Sequence, residues 1–193
     1  MIAETTRPAR DHPLLVVYTG EGKGKTTAAL GMALRAWHRG LPIGVFQFVK
    51  SGRWPAGERA AFAALDAAHR ETGAGAPVRW EHLGTGWTWL PPRAGLGPAD
   101  AARQGWARVA GCLAARTFGF LLLDEFTDPM ARGWVDPAEV LAALGQRPGF
   151  QHVVITGRGC PAPILDAADL VSSVTNVRHP FDKGRRGQQG IEW

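Results

Sequence analysis

The chain has 193 residues, of which 45% are hydrophobic and 20% charged; this is ordinary globular composition in a length that favours one domain with a real core. No apolar run approaches the roughly 20 residues of a membrane helix, and residues 1–13 hold no apolar h-region, so neither a membrane partner nor a secretory signal is expected. The net charge of +5 suits an anionic ligand, while Lys and Arg are scattered, with only Lys183, Arg185 and Arg186 approaching a patch, so no nucleic-acid partner is expected.

Residues 1–13 carry Pro8, Pro13 and mixed charge and read as a flexible tail ahead of a domain spanning residues 14–193. Leu14 to Tyr18 is a continuous apolar run bounded by turn signals, the mark of a buried parallel strand. A glycine-rich loop follows, then a helical run from Thr27 to about His38 that Gly40 and Pro42 close. Ile43 to Val49 is a second strand, with a loop from Lys50 to Gly57 at its carboxyl end. Glu58 to His69 reads as an alanine-rich helix, and Val78 to Leu83 alternates as a third strand. Glycines and prolines make Gly84 to Arg93 a loop. Ala99 to Arg116 is a helix, Phe118 to Leu123 a strongly apolar strand, and Pro137 to Leu144 a helix that Asp136 caps. His152 to Thr156 is a strand, Ile164 to Ala168 a short helix, Leu170 to Val174 a last strand, and no apolar period is visible from Asn176 onward. Alternating strands and helices without an internal repeat imply βαβ units: a single α/β domain whose mostly parallel central sheet is flanked by helices.

The chemistry starts at Thr19-Gly20-Glu21-Gly22-Lys23-Gly24-Lys25-Thr26-Thr27. Strand, glycine loop, Lys-Thr and helix is the layout of a phosphate-binding loop, although Thr19 stands where the general pattern has its first glycine. Glycines let the backbone approach an anion, amide N–H groups turn inward, and the helix N-terminus adds partial positive charge. Gly20, Glu21, Gly22, Lys23, Gly24, Lys25, Thr26 and Thr27 are the candidate nucleotide cradle, with Lys25 reaching phosphate oxygens and the Thr26 hydroxyl ligating Mg²⁺. The second signal is Phe120-Leu121-Leu122-Leu123-Asp124-Glu125, an apolar strand ending in carboxylates, the metal-side partner of such a loop. Either Asp124 or Glu125 would hold the metal, directly or through water. The reading is a nucleoside triphosphate and Mg²⁺ site in a fold resembling the P-loop NTPases.

Two cysteines, Cys112 and Cys160, have no metal-ligand spacing and make no disulfide framework, pointing to a reduced, cytoplasmic protein. Eight tryptophans stand against one tyrosine. Trp87 and Trp89 share a loop, where large aromatics suit either a flat apolar ligand or an anchor onto the sheet.

Taken together, the motifs resemble the ATP:corrinoid adenosyltransferases of the CobA/BtuR type. The resemblance covers nearly everything from Leu14 to Trp193 and rests on residues 18–29, Gln47-Phe48-Val49-Lys50, Trp54-Pro55-Ala56-Gly57-Glu58-Arg59, Gly84-Thr85-Gly86-Trp87-Thr88-Trp89, Leu123-Asp124-Glu125-Phe126-Thr127, Ile155-Thr156-Gly157-Arg158-Gly159-Cys160, His179-Pro180-Phe181-Asp182-Lys183-Gly184 and Gly190-Ile191-Glu192. It implies transfer of the 5′-deoxyadenosyl group of ATP to the Co(I) of a reduced corrinoid, with triphosphate leaving. It also implies an electron-donating reduced flavoprotein and a homodimer. Lys25 and Glu125 would be catalytic, Thr26 and Glu125 would hold Mg²⁺ with Asp124 nearby, and Trp87 and Trp89 match the aromatic pair that displaces the lower axial ligand of cobalt. Lys50 and Arg53 would meet the corrin periphery, Arg158 phosphate, and His179 with Asp182 would order the C-terminal loop.

Three departures from the family's pattern stand out. Trp87 replaces the commoner Phe, Glu21 stands where Asn is usual, and residues 1–13 are shorter than the N-terminal helix that covers the corrinoid in related proteins. The alternatives are a P-loop ATPase working as a switch, which would release inorganic phosphate without corrinoid, and a nucleic-acid-binding ATPase, whose binding would be salt-sensitive.

Overall fold

The apolar runs of the sequence become strands in the computed structural model, which describes residues 12–49, 57–84 and 97–191. Among these residues the strands are β1 Leu15–Thr19, β2 Ile43–Gln47, β3 Val78–His82, β4 Phe120–Asp124, β5 His152–Thr156 and β6 Leu170–Ser173. They form one sheet in the order β3-β2-β4-β5-β1-β6, and every pairing is parallel. Every residue of β2 and β4 is buried, whereas the edge strands β3 and β6 are only partly covered. That is why the central strands read as unbroken apolar runs and β3 as an alternating one.

The helices are α1 Lys25–His38, α2 Gly57–Thr72, α3 Pro98–Ala114, α4 Thr127–Ala131, α5 Pro137–Gln146 and α6 Ala162–Ala167, with a 3₁₀ turn at Pro180–Lys183. Alternate strand residues feed two cores. Val16, Leu122 and Val154 face Ala29, Leu30 and Ala33 of α1 and Phe62 of α2. Val17, Leu123 and Ile155 face the opposite layer, with Trp106 and Val109 of α3, Val140 of α5 and Ile164 of α6. Small residues along α1 let the helix lie close on the sheet. On the other side Trp106 stacks on Phe126 at 5.3 Å, and Phe126 also meets Phe48 at 4.3 Å.

The expected elements are present with shifted ends, and most shifts have a visible cause. Leu14 precedes β1 because its N–H goes to His152 Nδ1 at 3.0 Å. β4 begins at Phe120, where Gly119 and Phe120 both donate to the Pro42 carbonyl, and Phe118 packs edge-on against Phe46 instead. α1 begins at Lys25, two residues before the expected run from Thr27. Asp136 does cap α5, accepting from the Ala138 N–H at 2.8 Å. α4 is an addition: a five-residue helix closed by the Arg132–Asp128 pair, with the Arg132 guanidinium 5.2 Å from the Trp134 ring centre. No helix among the described residues is long and apolar enough to cross a membrane.

Candidate active site

The loop between β1 and α1 sits at the carboxyl end of the sheet. Gly20 has φ +94° and Gly24 φ +106°, backbone conformations that residues with a Cβ seldom adopt. Gly24 precedes α1 without any side-chain cap, so the first-turn N–H groups are left for an anion. Gly22 answers a different need. Its N–H donates to the Val174 carbonyl at 2.7 Å, and a Cβ there would lie 2.6 Å from the Thr175 carbonyl oxygen. The loop is thereby pressed onto the chain leaving β6. Lys25 closes it from within, its Nζ donating to the carbonyls of Gly20 at 2.8 Å and Gly22 at 2.7 Å.

One network joins this loop to the ends of β2, β4 and β5 and to Trp80 in the middle of β3. Asp124 is fully buried. Its Oδ1 accepts from the Thr26 hydroxyl at 2.7 Å and the Thr156 hydroxyl at 2.8 Å, and its Oδ2 accepts from Gln47 Nε2 at 2.8 Å. Gln47 Oε1 in turn accepts from Trp80 Nε1 at 3.0 Å. Thr156 Oγ1 also accepts the Glu125 N–H at 3.0 Å. A carboxylate only accepts, so Thr26 must donate its proton to Asp124, which leaves the hydroxyl lone pairs for a cation. Glu125, next in the chain, has φ +56°. This left-handed bend takes it out of the strand, and its side chain is half-buried.

Electrostatically the loop is a basic centre ringed by acids. Burial pushes the Lys25 ammonium below its ordinary pKa, with Arg158 adding to the effect, while Glu125, Glu21 and Asp124 pull it back up. Arg158 follows Gly157, and its carbonyl accepts from the Thr127 hydroxyl at 2.6 Å. Its guanidinium reaches the loop, with Nε 3.2 Å from Glu21 Oε2 and Nη2 donating to the Glu21 carbonyl at 3.3 Å.

The structure therefore brings together Gly20, Glu21, Gly22, Gly24, Lys25, Thr26, Asp124, Glu125 and Arg158. Lys23, within the loop, and Thr27, in the first turn of α1, have exposed side chains. His179 and Asp182 build a reciprocal cap: His179 Nδ1 accepts from the Phe181 N–H and Asp182 Oδ2 from the His179 N–H, each at 3.1 Å. Trp87, Trp89, Lys50, Arg53, Trp54 and Glu192 lie outside the described residues. Sequence reasoning gave no role to Gln47, Thr156 or Trp80. The available signal was a polar residue at the carboxyl end of an apolar strand, where the ligand crevice opens. Among the described residues no group of three or more His, Cys, Asp and Glu is placed to hold a metal.

Comparison with known proteins agrees with this geometry. Residues 11–193 match the family model "ATP:corrinoid adenosyltransferase BtuR/CobO/CobP". The chain is 39% identical over 191 residues to the corrinoid adenosyltransferase CobA of Salmonella typhimurium, covering 99% of this chain and 91% of the relative. The Escherichia coli corrinoid adenosyltransferase gives the same identity and coverage. That of Pseudomonas aeruginosa is 35% identical over 196 residues, covering 100% of this chain and 90% of its own. A loop for phosphate tied to a carboxylate-ended strand, in a chain matched along nearly its whole length, belongs to the ATP:corrinoid adenosyltransferase family.

Proposed function

We propose that this protein moves the 5′-deoxyadenosyl group of ATP onto the Co(I) of a corrinoid substrate and releases triphosphate. The observation that carries the reading is the Thr26–Asp124 hydrogen bond, which locks the phosphate loop to the end of β4 within a chain of this family. The cobalt electron pair forms the Co–C5′ bond, and the C5′–O pair leaves with the triphosphate. Co(I) is already a strong nucleophile, so the protein needs no general base. Its task is positioning and stabilisation of the charge that grows on the departing phosphate oxygen. The loop N–H groups and Lys25 supply that stabilisation.

The donor set fits Mg²⁺. Oxygen atoms alone are offered, and Mg²⁺ is held by one or two protein groups plus substrate phosphates rather than by an all-protein cage. Thr26 and Glu125 would hold it, with Asp124 fixing the Thr26 hydroxyl. When bound, the ion neutralises charge on the leaving triphosphate. Trp87 and Trp89 are assigned to the lower face of the corrinoid, where a dry apolar surface offers cobalt no donor. A reduced flavoprotein as electron source, a homodimer and a cytoplasmic location complete the reading.

The test is anaerobic incubation with ATP, Mg²⁺ and chemically reduced corrinoid. Absorption should report a cobalt–carbon bond, and tripolyphosphate should accumulate in step. Steady conversion of ATP to ADP without corrinoid would overturn the reading in favour of an ATPase.

A further inference from the structure

Glu21 is an odd residue for a loop built to hold polyphosphate. Its carboxylate meets the Arg158 guanidinium, and Arg158 grips Glu21 twice, through the side chain at 3.2 Å and the main-chain carbonyl at 3.3 Å. The Arg158 backbone is fixed independently. Its carbonyl is held by Thr127, and the preceding Gly157 sits so close that a Cβ there would lie 2.1 Å from Thr127 Oγ1. The guanidinium therefore reaches over the loop from a rigid base. Both Glu21 and Arg158 act on the Lys25 ammonium, with opposite sign, so both lie in the electrostatic space of the cradle. Yet the pair is open to water, with 76% of the Glu21 and 61% of the Arg158 side chain exposed. An exposed pair of this kind is weak and readily exchanged for a partner with more charge.

We propose that Glu21 holds Arg158 over the loop as a stand-in for phosphate and yields it when a polyphosphate binds. This rests on the nucleotide-site reading above and adds a specific role: Glu21 competes with the triphosphate for Arg158. Arrival of ligand exchanges a carboxylate partner for a phosphate oxygen. Departure of triphosphate is helped because Glu21 recaptures the guanidinium. Glu21 is thus a positioning residue that lowers retention of the product, and it does so only through Arg158.

The experiment is calorimetric titration of the whole chain with inorganic tripolyphosphate and, separately, with ATP. It uses wild type, Glu21→Gln, Arg158→Met and the double variant. Glu21→Gln should tighten tripolyphosphate binding about three- to fivefold, the scale of one exposed ion pair no longer broken on binding. Arg158→Met should weaken binding, and adding Glu21→Gln to it should then change nothing. The proposal is overturned if Glu21→Gln leaves affinity unchanged, or if its gain persists in the Arg158→Met background, which would mean simple repulsion between carboxylate and phosphate. Failure of wild type to bind either ligand would instead overturn the nucleotide site itself.

Discussion

Gln47 is an uncharged polar side chain at the end of a strand buried from end to end. Its amide links two groups, donating to the buried Asp124 carboxylate and accepting from the half-buried Trp80 indole. Replacing it with Leu keeps the volume but removes a buried donor from Asp124 Oδ2 and the acceptor of Trp80 Nε1, at a cost of about 1–3 kcal/mol. Gln47→Glu should be worse at neutral pH, since two buried carboxylates would then face each other with no proton between them. Urea unfolding of the two variants checks the order: midpoints should fall from wild type to Leu to Glu. Lys25 belongs to the same scale. Lys25→Ala removes a preorganised charge from the leaving group and should lower turnover by at least about 10²-fold, read by the corrinoid assay. Lys25, Thr26 and the Asp124-Glu125 pair were legible because motif spacing is local. Gln47 was not, because its partners stand 77 and 33 residues away and only the parallel sheet brings them together.

Elements behave the same way. β5 was legible to the residue, since an apolar run closed by Gly157 has little freedom. α4 was hidden because five residues containing Pro129 carry no period, and its closing contacts, Arg132 on Asp128 and on Trp134, are side-chain details. The start of β1 gives an element-scale prediction. It is clamped by Arg147, whose Nη2 donates to the Pro13 carbonyl at 2.9 Å, by Asp169 on the Leu15 N–H at 2.7 Å, and by His152 on the Leu14 N–H. Nδ1 of His152 must be unprotonated to accept. Burial, then Arg147 and His12, hold its pKa below the usual 6.5. The folded state thus binds fewer protons than the unfolded one below pH 6.5, so stability is complete above that value and declines as pH falls toward the folded pKa. Thermal midpoints between neutral and mildly acid pH should drop more for wild type than for His152→Asn, whose amide oxygen accepts without titrating.

Across the whole molecule, the number and direction of strands followed from alternation of elements. Their order in space did not, since β1 between β5 and β6 is fixed by pairings that no local pattern carries. That order has a measurable result. The loop is held by Val174 in the chain leaving β6, by β4 through Asp124 and by Arg158 in the chain leaving β5. A ligand seated there braces much of the sheet at once. Tripolyphosphate at a hundred times its dissociation constant should add about 2.7 kcal/mol to stability. For a domain of this size that is a rise of about 5–10 °C in Tm. Differential scanning calorimetry should show the rise in wild type and lose it in Lys25→Ala.

Glu125 is a carboxylate-bearing residue in a left-handed bend, φ +56°, where Asn or Gly would rest more easily by about 1 kcal/mol. On the proposed role of Glu125 at the metal, heat resistance and adenosyl transfer pull this position in opposite directions. Glu125→Asn should melt slightly later than wild type in the absence of ligand, yet no longer alkylate cobalt at a useful rate. A library sorted only for survival at high temperature would discard this side chain, and its survivors would be sturdier and idle.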